Sequence, residues 1–177
     1  GLSDGNAVYK IELLMKQLGL TPTSRAVVSP ALAVADRTGN PAAAMEMPDG
    51  TILTGKTSAL LGASSALLLN ALKYLGGIPD EVQLIAPSVI APVQDLKVNV
   101  LGNKNPLLHI DELLVALSIC AVTDPNAKKA VRQLQKLRGC EVHSTVILSE
   151  TDEDSFRRLG VRLTCEPRYQ TSKLYHG

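Results

Sequence analysis

The 177-residue chain is 45% hydrophobic and 20% charged with a net charge of +1, the composition of one globular domain with room for a helical appendage. The near-neutral balance excludes a dedicated nucleic-acid surface, which needs a basic excess, and the absence of Trp with a single Phe leaves no stacking platform for bases. No apolar run is long and unbroken enough to span a bilayer; in the nearest, residues 58–75, Gly62, Ser64, Ser65, Asn70 and Lys73 intervene. Three irregularly spaced cysteines point to reduced thiols in a cytoplasm rather than to a disulfide framework. A start at Gly-Leu-Ser-Asp-Gly without Met reads as a piece of something longer.

In chain order, Asp4 or Asn6 caps a first predicted helix that carries Val8, Ile11, Leu14, Met15 and Leu18 on one stripe and ends at Gly19. Thr21-Pro22 starts a second, which runs to about Arg37 with a kink expected at Pro30. Two short apolar runs, 42–47 and 51–55, flank Pro48-Asp49-Gly50, a strong hairpin signal. The Ala- and Leu-rich segment 58–75 ends at Gly76-Gly77 and reads as a buried helix.

Residues 81–86 read as a strand stopped by Pro87, and Val98–Leu101 as a short strand; the type of 88–95 stays open because of Pro92. Helices are predicted over about 111–121 and over 125–137, where Pro125 follows Asp124 at the position proline prefers. Val142–Leu148 is the clearest strand. Thr151-Asp-Glu-Asp154 then resembles a capping box, with Arg157-Arg158 in the last turn, before a final strand 161–165. Strand, helix and strand at this distance predict a parallel βαβ unit.

Gly50-Thr-Ile-Leu-Thr-Gly55-Lys56-Thr57 satisfies the P-loop pattern letter for letter. The four intervening residues are β-prone, however, and the first glycine already belongs to a turn, so the hairpin explains the same letters. Thr57 or Ser58 as a helix cap beside Lys56 would still favour an anion at that helix start.

The segments Thr54-Gly-Lys-Thr-Ser, Leu61-Gly-Ala-Ser-Ser-Ala-Leu-Leu-Leu-Asn70, Leu108-His-Ile-Asp111-Glu, Leu137-Arg-Gly-Cys-Glu-Val-His143 and Leu163-Thr-Cys-Glu-Pro resemble the C-terminal part of a bacterial family classed as a domain of unknown function. The resemblance extends from about Ala7 to Tyr169. It implies longer full-length members with an upstream P-loop-like Gly-Ser-Lys segment, and a fold similar to the cytidine deaminases. The zinc motifs of that class, His or Cys-x-Glu and Pro-Cys-x-x-Cys, have no counterpart here. The corresponding stretches are Gly62-Ala-Ser-Ser65 and Pro87-Ser-Val-Ile-Ala-Pro92.

Cys140-x-x-His143 has metal-like spacing, but with parallel strands Cys165 lies a strand's length away at about 3.3 Å per residue, so no metal and no cofactor is expected. His109 before Asp111-Glu112 reads first as a helix start where acids meet the dipole. Ligands of α/β sheets bind at the carboxyl ends of strands, which nominates Ser88, Ser149, Cys165 and Glu166, with Lys56 and His109, as contacts for a small polar molecule. The same residues also suit caps and turns.

The expected fold is α/β, three-layered, with a mixed β-sheet, cytidine-deaminase-like. Residues 1–40 form an N-terminal helical segment, 41–167 the domain and 168–177 a tail. The expected function is a non-catalytic ligand-binding or assembly module of a larger cytoplasmic protein. The alternative is part of a hydrolase or transferase whose site is shared with an upstream domain. Expected partners are those upstream domains and a second copy, joined as a symmetric dimer through the stripes of the N-terminal helices, with neither nucleic acid nor membrane.

Overall fold

The tightest turn in the chain sets the sheet. In the computed structural model, which describes residues 10–11, 13–15, 18 and 25–169, Gly50 adopts φ +86°, a conformation that costs a residue without Cβ nothing. Its amide donates to the Met47 carbonyl at 2.8 Å, and the Asp49 carboxylate accepts from the Thr51 amide at 3.0 Å. This closes the hairpin of β1 (Ala42–Glu46) and β2 (Ile52–Lys56), paired antiparallel from Ala42↔Lys56 to Glu46↔Ile52. Pairing with β1 holds 52–56 extended and turns alternate amides to the neighbouring strand, so the P-loop-like letters form a strand. Strand β3 (Glu141–Ser144) pairs antiparallel to β1, and β4 (Arg162–Cys165) parallel to β3, giving a mixed sheet of order β2-β1-β3-β4.

Successive side chains of β1 point to opposite faces. Ala44 packs with Val27, Ala31 and Ile52 under helix α1 (Val28–Thr38). Ala43, Met45 and Val142 join the main core with Leu67, Leu68 and Leu72 of helix α2 (Ala63–Gly76). Helices therefore cover both faces. On β2, α2 comes so close that a Cβ on Gly55 would stand 2.4 Å from the Leu67 amide nitrogen and 2.8 Å from the Ala63 carbonyl oxygen. Helices α3 (Pro87–Asp95), α4 (Ile110–Cys120) and α5 (Pro125–Val131) follow. Helix α6 (Glu150–Arg158) is the crossover between β3 and β4.

Several expectations are corrected. Residues 81–86 are not a strand: Leu84 and Ile85 are buried in the core but make no ladder, because an apolar run reports burial and not pairing. Val98–Leu101 is no strand either; Leu96–Val100 forms a π-helical continuation of α3 that carries Lys97 inward. Helix α2 begins at Ala63 and not near Ser58, whose hydroxyl instead accepts from the Leu60 and Leu61 amides at 3.3 and 3.1 Å. Pro30 sits in the first turn of α1, where its missing amide breaks no helical bond, so no kink is needed. The helix expected over 125–137 stops at Val131 and resumes as a 3-10 turn, Leu134–Leu137. Strand β3 ends at Ser144, four residues early, because the Ser144 hydroxyl donates to the Val146 carbonyl at 2.7 Å and turns the chain away. Most of the first predicted helix, the start of the second at Thr21-Pro22 and the tail beyond Tyr169 lie outside the described residues. Among the described residues no helix is long and apolar enough to cross a membrane.

Candidate functional site

Where β3 breaks off, a cavity of about 290 Å³ opens between the sheet end and the starts of three helices. Gly62 and Ser64 bring the start of α2 to it, His109 is the residue before α4, and Ser149 and Asp152 belong to the start of α6. The wall formed by Leu107–His109 is tied down: the Ser65 hydroxyl donates to the Leu108 carbonyl at 2.9 Å, and the Leu108 amide to the Leu60 carbonyl at 3.2 Å. Behind it the buried Lys97 ammonium donates to the Leu107 carbonyl at 2.6 Å and to Glu112 at 2.8 Å. Glu112 also accepts from the His109 amide at 2.9 Å.

Ser149, His109 and Asp152 have the composition of a hydrolytic triad but not its wiring. Asp152 Oδ2 lies 3.3 Å from His109 Nδ1, and Ser149 Oγ lies 3.4 Å from the same nitrogen. A relay needs hydroxyl and carboxylate on opposite ring nitrogens. Here the serine acts as a helix cap, accepting from the Asp152 amide at 3.2 Å, and Asp152 Oδ1 caps α4 through the Ile110 amide at 2.8 Å. The hydrogen bond from Asp152 raises the His109 pKa above its ordinary value, against burial, which lowers it. Two cavity-lining hydroxyls, Thr57 Oγ1 and Ser64 Oγ, are buried with no hydrogen-bond partner among the described residues. Native structures leave few such groups unmet.

Of the nominated residues, the cavity gathers His109 and Ser149. Lys56 ends β2 exposed, one residue before the lining Thr57, and Ser88 is exposed in the first turn of α3. Cys165 lies opposite Ser144 in the sheet, and burial pushes its thiol up. Glu166 serves a different cluster on the α1 face, accepting from His143 Nε2 at 3.0 Å. Thr57 was read only as a helix cap beside Lys56, and Ser64, Ser144 and Asp152 escaped sequence reasoning as site residues, because a serine inside an Ala-Leu helix and an acid in a first turn carry no sign of what they face.

Cys140 and His143 do not form a pair. Cys140 belongs to the main core and its thiol is pushed up by burial, whereas His143 lies on the other face beside Ala44. Among the described residues no three His, Cys, Asp or Glu side chains are placed to hold a metal ion. His143 is instead the middle of a donor chain. Arg25 donates to Thr164 Oγ1, which leaves the threonine proton for His143 Nδ1 at 2.8 Å and the Nε2 proton for Glu166. Arg25 also reaches Glu141 at 3.2 Å and the Arg162 carbonyl at 3.1 Å, so it pins α1 to β3 and β4.

Residues 23–175 match the family described as domain of unknown function DUF1846, C-terminal. The chain belongs to this family. The DUF1846 domain is 52% identical over 172 residues to a UPF0371 protein of Corynebacterium diphtheriae, covering 97% of this chain and 35% of the relative. It is 48% identical over 173 residues to one of Corynebacterium urealyticum, covering 98% and 35%, and 48% over 169 residues to one of Streptococcus thermophilus, covering 96% and 34%. The chain thus spans about a third of the length of these bacterial relatives and corresponds to a domain of a larger protein.

His109 and His143 make opposite contributions to the stability of the DUF1846 domain. His143 has a pKa lowered from 6.5, by burial first and also by Arg25, with Glu166 opposing. Its stabilisation is complete above the ordinary pKa and is lost as pH falls, because the unfolded chain then binds the extra proton. His109, with its pKa raised from 6.5, stabilises below that value and ceases to do so as pH rises through the raised pKa. Urea midpoints measured from about pH 5.5 to 8 should therefore climb more steeply with pH in His109→Asn than in the wild type. In His143→Asn they should climb less or fall. Parallel profiles for the two variants would contradict these assignments.

Proposed function

We propose that this DUF1846 domain is a non-catalytic module that binds a small polar ligand within a longer cytoplasmic bacterial protein. The observation that carries the reading is the cavity at three helix starts, lined by both polar and apolar residues, with the Thr57 and Ser64 hydroxyls left without partners among the described residues. A small set of convergent polar groups in an otherwise apolar hollow is what ligand sites share. Against catalysis in this cavity stands the wiring of the Ser149–His109–Asp152 group, in which Ser149 and Asp152 compete for one nitrogen and no base is left to activate the serine.

A deaminase-like scaffold stripped of its zinc chemistry fits this reading. The hairpin followed by α2 and the sheet order β2-β1-β3-β4 support it, although α3, α4 and α5 stand between α2 and β3 where a strand was expected. Gly62–Ser65 occupies the helix start where that chemistry would need its ligands. The module's partners are then other parts of the longer protein, or a second copy.

Equilibrium dialysis of the chain against a bacterial metabolite extract, read by mass spectrometry, tests the proposal. A polar small molecule should be enriched with the protein and come back chemically unchanged. No enrichment would refute ligand binding, and recovery of a converted product would establish a catalytic site in its place.

A further inference from the structure

Building on that ligand-binding reading, we propose that the cavity takes a phosphate group, seated on the first turn of α2, as carried by a small phosphomonoester. The three helix starts are not equivalent. Asp152 and Glu112 occupy the amides at the start of α4, and Ser149 caps α6. Helix α2, 14 residues long, is preceded by Gly62 and receives no side-chain cap. Its first intrahelical bond is from the Ala66 amide to the Gly62 carbonyl at 3.0 Å, so the amides of Ala63, Ser64 and Ser65 belong to the set that a helix cannot satisfy itself.

Directly beside these amides, Ser64 is 3% exposed, lines the cavity and has an Oγ without a partner among the described residues. Thr57 Oγ1 shares this state in the same wall. All of these groups can donate, and none meets an acceptor among the described residues. Their complement is a compact group with several acceptor oxygens and negative charge, which a helix N-terminus favours. The nearby carboxylates do not supply it, because Asp152 is engaged by His109 and the Ile110 amide, and Glu112 by Lys97 and the His109 amide. Leu107, Val146 and Leu148 also line the cavity and leave an apolar place for the organic part.

Gly62 offers a decisive substitution. A Cβ there meets nothing within 4 Å and the residue is already extended, so Gly62→Asp would place its own carboxylate on the α2 amides. Titrating inorganic phosphate into the full chain should shift the amide NMR signals of residues 62–65 and show saturable binding by calorimetry. Gly62→Asp should weaken that binding at least tenfold while its melting temperature stays level or rises, and Ser64→Ala should weaken it severalfold. Acetate should bind at least tenfold more weakly than phosphate. Absence of shifts at 62–65, unchanged affinity in Gly62→Asp, or equal affinity for acetate would each overturn the assignment. If phosphate fails while dialysis still retains an unchanged neutral molecule, only this inference falls; if dialysis retains nothing, the broader reading falls as well.

Discussion

Gly55→Ala is expected to cost the fold about 3 kcal/mol, at the upper end of overpacking penalties, and to lower the melting temperature by roughly 6–12 °C. The added methyl would stand 2.4 Å from the Leu67 nitrogen and 2.6 Å from its Cα. These are backbone atoms that cannot rotate aside, so α2 as a whole must lift off β2. Gly62→Ala is the matched control, since its Cβ enters open space; it should cost under about 1 kcal/mol, as at an ordinary N-cap. Equal melting temperatures for the two variants would show that α2 does not sit on β2 as described.

Glu112→Ala is expected to be comparably damaging, at about 3 kcal/mol, the low end for breaking a buried ion pair. The Lys97 side chain is 5% exposed and that of Glu112 is 27%, so the lysine suffers more from the loss. Its ammonium would keep only the Leu107 carbonyl, and the His109 amide would lose its acceptor. Because an unpaired buried charge is the cause, adding Lys97→Met to Glu112→Ala should restore much of the loss. Urea denaturation of the two single variants and the double tests this: a Glu112→Ala cost below 0.5 kcal/mol, or strict additivity, would contradict the account.

These variants also show what the sequence could reveal. The hairpin was legible because Asp49-Gly50 is local chemistry, and α6 because its acidic first turn and Arg157-Arg158 lie within one short segment, although its cap is Ser149 and not Thr151 as expected. Lys97 was not. It stood just before the strand expected over Val98–Leu101, and only the distant Leu107 and Glu112 give it a reason to turn inward. The same limit applies to the cavity. His109 stood out as a helix start and Ser149 as a strand end, but nothing local shows that both meet α2, or that Glu166 passes to the opposite face to hold His143. The P-loop-like letters alone cannot tell a glycine kept for close packing against Leu67 from one needed to wrap phosphate; the β-prone residues between the two glycines decided for the hairpin.

The sheet order has a consequence for how the chain assembles. Strands β1 and β2 are neighbours in sequence, but Ala43 finds its other partner at Ser144, and β3 is itself flanked by β4 only once Cys165 is in place. Closing so long a loop is entropically costly, and contacts this distant slow folding. During synthesis the hairpin and α2 can form well before β3 has been made. Through that interval the apolar strand Ala42–Glu46 has an open hydrogen-bonding edge, the kind of surface that recruits other chains. The nascent domain is therefore most exposed to aggregation between the emergence of α2 and the arrival of residues 141–144.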